Sequence, residues 1–193
     1  MKLSIAISVF VFATLSPVAI AQSAPASSWE VGAGYNYLHT NAPPAACGCF
    51  SMNGGAASVA YHPRSAFAIV AQVQGLRNGN VNASGHDLTL LTYLAGPRYT
   101  YVSRTNRLAP FGEVLVGGSH ASGGLYASSS VASSSTSSFA ASMGGGLDLA
   151  LTQHIALRVV QLDYLLTLQP NGVNSRQNNL GVSTGFVLHL GKR

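Results

Sequence analysis

Residues 91–118, LTYLAGPRYTYVSRTNRLAPFGEVLVGG, read as two strands joined by a polar turn, and their charges say which way the strands face. Alternate side chains of an extended chain point to opposite sides, so Arg98 on one face puts Tyr99 and Tyr101 on the other. In the second strand Glu113 opposes Val114 and Val116 in the same way. A turn centred between Thr105 and Asn106 sets Arg98 directly across from Glu113, because the two positions are symmetric about that centre. One face of the hairpin is then paired charge and the other Tyr and Val. A water-soluble sheet over one dry core rarely has this pattern. A membrane barrel requires it, with polar groups in the lumen and apolar groups against lipid.

Composition points the same way. Only 8% of residues are charged, against ~25% in ordinary soluble domains. The formal net charge of +5 is scattered rather than gathered into basic runs interleaved with aromatics, so nucleic-acid binding is not expected. A sequence pI near 9.5 fits either contact with anionic lipid head groups or simply a weak charge balance.

The first residues, MKLSIAISVFVFATLSPVAIAQ, carry an early Lys, a short apolar run broken by Pro17, and an Ala19-Ile20-Ala21 cleavage pattern. Residues 1–21 therefore read as a secretory signal peptide, with residues 22–193 forming one barrel domain. No later stretch reaches the ~18 consecutive apolar residues of a membrane helix, so a mature chain that spans a bilayer must do so as a closed barrel.

Outward from the opening hairpin, the same alternation recurs. In 29–40, Trp29, Val31, Ala33, Tyr35 and Tyr37 oppose Glu30, Gly32, Gly34 and Asn36. A weaker strand follows at 52–61, then a turn at His62-Pro63-Arg64-Ser65 and a strand at 66–76 with Gln72 and Gln74 inward. Residues 87–101 and 109–120 are the opening pair; the stretch from Leu88 to Leu94 is apolar on both sides, so only Arg98 fixes its facing. Phe139–Ala150 sets Asp148 inward. In 155–167, Arg158 claims the even positions for the lumen while Gln161 and Asp163 claim the odd ones. A charge facing lipid at mid-bilayer costs about 2–4 kcal/mol for Arg and somewhat less for Asp. A β-bulge near Val159-Val160 resolves both assignments, leaves Leu162 and Tyr164 outside, and lets Asp148 face Arg158. The last strand, 179–190, turns Leu180, Val182, Phe186, Leu188 and Leu190 outward.

The intervening segments are loops: 41–51 with its Pro-Pro and Gly, 77–86 rich in Asn and Gly, the Ser/Ala/Gly stretch 121–138, and 169–178. The sum is an all-β fold, an eight-stranded antiparallel up-and-down transmembrane β-barrel. Long connections follow strands one, three, five and seven, and tight turns the others, as outer-membrane barrels require.

The opening strand WEVGAGYNY, the hairpin AGPRYTY…PFGEVLVGG, GGGLDLAL, IALRVVQLDYLLT and the closing NNLGVSTGFVLHL together resemble the small eight-stranded outer-membrane barrels of the OmpA/OmpX type. The resemblance implies the architecture, residence in the outer membrane, and dealings with outer-membrane lipid and the outer-membrane assembly machinery. It implies little about activity, since such barrels range from envelope structure and adhesion to lipid modification. No soluble peptidoglycan-binding domain is expected beside the barrel, and the sequence closes on LHLGKR in place of the terminal aromatic common in the family.

Glu30, Arg98, Glu113, Asp148, Arg158 and Asp163 form the expected lumen set. They either line or gate a small pore, or fill and rigidify a closed barrel; pairing against uncompensated buried charge favours the second. Cys47 and Cys49 are the only thiols, in an exported loop, and the oxidising compartment favours a local disulfide over free or intermolecular thiols although its ring is small. Two thiolates make half a zinc site unless His39 or His86 approaches, so no metal is expected, and no cofactor. His120 and Ser122 invite a lipid-hydrolase reading with Glu113 as the acid. At strand spacing, however, Glu113 lies roughly 20 Å below His120, so catalysis is not expected. The expected role is structural or surface-interactive, with the loop partner left open. The alternatives are a narrow pore, a lipid A-modifying barrel, and a secreted lipocalin-like binding barrel, whose exterior would need more charge than this chain has.

Overall fold

The computed structural model describes residues 28–41, 49–81, 87–101, 107–123, 134–169 and 176–190. The expected signal peptide lies outside them. The strands are β1 (Ser28–Asn41), β2 (Cys49–Arg64), β3 (Phe67–Asn78), β4 (Leu88–Thr100), β5 (Leu108–Gly123), β6 (Ser134–Ala150), β7 (Ile155–Thr167) and β8 (Gln177–Leu190). Each pairs antiparallel with its chain neighbour, and β8 returns to β1, so the sheet closes without an edge. Closure matters physically because every ladder N–H and C=O finds a partner without water.

Alternation decides inside from outside. Tyr35, Ile69, Tyr93, Val116, Met143, Leu162 and Phe186 are each at least half exposed on the outer wall. In water so many exposed large apolar side chains would be a liability, but against acyl chains they are the matching surface. Aromatic residues gather near the strand ends. Trp29 stacks at 5.0 Å on Tyr61 beside the short turns. At the long-loop end, Tyr35, Tyr37 and Tyr164 bond through their hydroxyls to Asn53, Ser51 and Asn178. An apolar ring with a polar tip suits the lipid–water boundary.

The bulge expected in β7 is present. Asp148 pairs with Arg158 and Leu147 with Val160, leaving Val159 extra, and the β7–β8 register shifts between Arg158 and Gln161. Arg158, Gln161 and Asp163 consequently all face inward, while Leu162 and Tyr164 face out. The Arg158 carbonyl accepts a hydrogen bond from Thr184 Oγ1 at 2.9 Å, which satisfies a group that the bulge frees from the ladder.

Three expectations need correction. First, the Ser/Ala/Gly stretch 121–138 is not all loop: β5 runs on to Gly123 and β6 starts at Ser134, with His120 opposite Ser137 and Ser122 opposite Ser135. Backbone pairing continues there although the side chains contribute little burial. Second, Arg77 belongs to β3, and β2 extends from Cys49 to Arg64, so the loop estimates were too long and the first turn shrinks to Ser65 and Ala66. Third, the lumen is not uniformly polar. Leu38, Met52, Leu76, Leu90, Leu94, Leu115 and Leu165 are buried in one cluster inside the barrel. An eight-stranded interior is narrow enough to be filled by side chains, so leucines pack there as in any dry core. The stretch from Leu88 to Leu94, apolar on both sides, divides accordingly: Leu88, Leu90 and Leu94 point in, Leu91 and Tyr93 out.

Candidate functional site

The short-turn end of the lumen holds the charges. Glu30 of β1, 5% exposed, is the hub. Its Oε1 accepts from Arg98 Nη1 at 2.9 Å and lies 3.6 Å from Arg158 Nη2. Its Oε2 stands 3.0 Å from His62 Nε2 and 3.8 Å from His189 Nδ1. Arg98 Nε donates to Glu113 Oε2 at 2.7 Å across the β4–β5 ladder, where the two residues are direct partners. Arg158 grips Asp148 with a fork, Nε to Oδ1 at 2.9 Å and Nη2 to Oδ2 at 3.0 Å, a geometry that planar guanidinium and carboxylate groups favour.

Gln161 ties the two halves together. Its Oε1 accepts from Arg158 Nη1 at 3.0 Å, and its Nε2 reaches Glu113 Oε1 at 2.8 Å and both Asp163 oxygens at 3.0 Å. The Phe111 ring lies under both guanidinium groups, 4.6 Å from Arg98 Cζ and 4.4 Å from Arg158 Cζ, so its π-face adds to their stabilisation. Gly146 makes room for that ring: a Cβ there would stand 2.8 Å from Phe111 Cζ.

All six expected lumen residues are thus inside and joined, through shared partners, into one network. Four members escaped the sequence reading. The sequence places His62 in a turn and uses Gln161 only to fix a facing, and it does not single out His189 or Phe111. The signal for Phe111 was its parity with Glu113, and for His62 the continuation of the alternation through Ser58 and Ala60.

Arg98 Nη2 is buried in the network without a hydrogen-bond partner. Beside the network a cavity of about 30 Å³, lined in part by Arg158, Gln161, Gly32 and Gly185, has room for one or two waters. Above it sits the leucine cluster. Among the described residues no group of three or more His, Cys, Asp or Glu side chains is arranged to hold a metal. Cys49 opens β2 and is exposed, while Cys47, and with it the expected Cys47–Cys49 disulfide, lies outside the described residues, as does His86. His39 Nδ1 lies 3.3 Å from Ser51 Oγ. His120 Nδ1 lies 2.8 Å from Ser137 Oγ, a hydroxyl, whereas Glu113 faces the lumen on the other side of β5.

An antiparallel eight-stranded barrel, apolar outside and filled by paired charge and leucine inside, has the fold of the small outer-membrane β-barrels. Solved structures agree. The crystal structure of Neisserial surface protein A (NspA) matches with a TM-score of 0.65 at 17% identity, over 85% of this chain and 99% of that one. Ail, the attachment invasion locus protein of Yersinia pestis, matches with a TM-score of 0.56 at 15% identity, over 85% and 97%. The outer membrane protein OprG from Pseudomonas aeruginosa matches with a TM-score of 0.50 at 10% identity, over 86% and 96%. At such identities the likeness is one of fold. No protein-family model matches the chain, and no curated protein matches it by sequence.

Proposed function

We propose that this chain is an integral outer-membrane protein whose barrel is a closed, non-catalytic scaffold, contributing to the envelope itself or presenting its long loops to an outside partner. One observation carries the reading: the barrel wears its apolar side chains outward and seals its interior with the network around Glu30 and Arg98. A ligand-binding barrel in water needs the reverse arrangement. A pore needs an open path, whereas here paired charges and a leucine layer occupy the lumen at successive heights. Hydrolysis needs an acid to orient the histidine, and the partner of His120 is a serine.

The test is to express the full chain in a Gram-negative host, fractionate the cells, and compare unboiled with boiled protein on a detergent gel. Membrane-extracted protein that migrates as a compact band and shifts on boiling supports the reading. Protein soluble in the periplasm without detergent overturns it in favour of the ligand-binding barrel. Stepwise conductance of the purified protein in planar bilayers would overturn the closed lumen and establish a narrow pore.

A further inference from the structure

A second register shift, at the short-turn end of β2, decides where a base points. Tyr61 pairs with Ile69 and Arg64 with Phe67, so His62 and Pro63 together oppose Ala68 alone. On a regular strand His62 and Arg64 would share a face. Instead His62 turns inward, 3.0 Å from the Glu30 carboxylate, while the exposed Arg64 takes the outward side of its cross-strand partner Phe67. Phe67 pairs in turn with the exposed Tyr99, and in the next row Trp29 stacks on Tyr61, so Arg64 stands beside an aromatic belt.

Three residues past Tyr61 is about 10 Å of strand. At a tilt of ~40° this is ~7 Å along the membrane normal. With Trp29 and Tyr61 at the lipid–water boundary, where such rings settle, Arg64 falls within the head-group layer, about 5–8 Å deep on each side of the hydrocarbon core.

No acidic side chain answers it. The chain has five Asp and Glu residues. Glu30, Glu113, Asp148 and Asp163 are buried in the lumen, and Asp87 stands 3.5 Å from Arg77 at the long-loop end. Drawing the acids inside leaves the short-turn rim with bases alone: Arg64 and, just before Leu108, the exposed Arg107.

We infer that Arg64 and its aromatic flank form a binding site for the phosphate of an anionic phospholipid head group in the leaflet on the short-turn side. The inference rests on the proposed membrane insertion. A planar fork of N–H donors matches phosphate oxygens two at a time. The Phe67 and Tyr99 rings meet the acyl chain of the same lipid, whereas a soluble polyanion would meet only the charge. A zwitterionic lipid offers the same phosphate but brings its own cation, so preference for the anionic head group is the signature of the site.

Trp29, the single Trp of the chain, is a built-in probe one strand away from Arg64. Protein extracted from the membrane is reconstituted in phosphatidylcholine vesicles, and quenching of Trp29 by acyl-brominated phosphatidylglycerol is compared with quenching by brominated phosphatidylcholine at equal mole fraction. A shift in migration on boiling first establishes that each sample is a folded, inserted barrel, so failure of the proposed function is seen separately. Wild type is expected to favour phosphatidylglycerol, and Arg64→Gln to lower that preference about fivefold, the effect of one basic residue at an anionic surface. If that variant does not fold, about 0.5 M NaCl should lower the wild-type preference in its place, by screening the exposed charge. A Trp moved to the long-loop end, Phe139→Trp with Trp29→Phe, should show a smaller preference. Equal quenching by the two lipids in wild type overturns the site. So does a preference that Arg64→Gln or salt leaves unchanged, and one of equal size at the long-loop end assigns it to the whole wall instead.

Discussion

Arg98 and Glu113 face each other across one ladder position of β4 and β5, both at most 4% exposed, and the arginine donates Nε to the carboxylate at 2.7 Å. Neither belongs to the other alone. Arg98 also serves Glu30, and Glu113 also accepts from Gln161, so removing either partner strands a charge that other members of the network only partly compensate.

Arg98→Met and Glu113→Gln should each destabilise the barrel by about 3–5 kcal/mol, the cost of leaving a buried charge without its partner. The double variant should lose less than the sum, with a coupling of about 0.5–3 kcal/mol. Urea unfolding from lipid vesicles, followed by the boiling-dependent gel shift, measures this. Strict additivity would contradict the pairing.

Glu30 and Asp163 should behave oppositely although both are buried carboxylates. Glu30 answers Arg98 and His62 at hydrogen-bond distance, whereas Asp163 is held by the Gln161 amide. Glu30→Gln is therefore expected to cost about 2–4 kcal/mol, and Asp163→Asn to lie within about 0.5 kcal/mol of wild type or to stabilise. The same unfolding assay separates the two, and a large loss in Asp163→Asn would show that its charge is needed.

The bulge can be tested by deletion. Without Val159 the strand has one parity throughout, with Arg158, Gln161 and Asp163 all still inward and Val160 and Leu162 outward, so no charge has to face lipid, a displacement that would cost about 2–4 kcal/mol. The deletion variant should therefore fold into vesicles with a regular β7. Thr184→Val, which removes the hydroxyl bonded to the Arg158 carbonyl, should cost only about 1 kcal/mol. Failure of the deletion variant to fold would mean that the bulge geometry itself, and not only the shared facing of the three polar residues, is needed there.

Two glycines should differ by position alone. A Cβ on Gly96 would fall on the Val114 carbonyl oxygen, whereas one on Gly75 meets open space. Gly96→Ala is expected to cost more than about 2 kcal/mol, within the range for overpacking, while Gly75→Ala stays within about 0.5 kcal/mol of wild type or gains slightly. Unfolding midpoints of the two variants decide it, and a tolerated Gly96→Ala would show that the sheet yields there.

Alternation along the chain was enough to specify the barrel. A period of two needs no partner to be read, and charge on one parity with Tyr, Val and Leu on the other settled which face was which, even at the β7 bulge, where Arg158 and Asp163 could not otherwise share the lumen. It also placed Arg98 opposite Glu113 and Asp148 opposite Arg158, because hairpin partners follow from the turn centre alone. Closure of the barrel decided the rest. Glu30 meets Arg98 across 68 positions of sequence, and Gln161 meets Glu113 across 48. Such contacts depend on how strands stagger around the cylinder, which no local pattern encodes. The leucine layer was hidden for a related reason: a leucine at an inward position looks the same in sequence as one facing lipid, and only the width of the closed lumen makes it core.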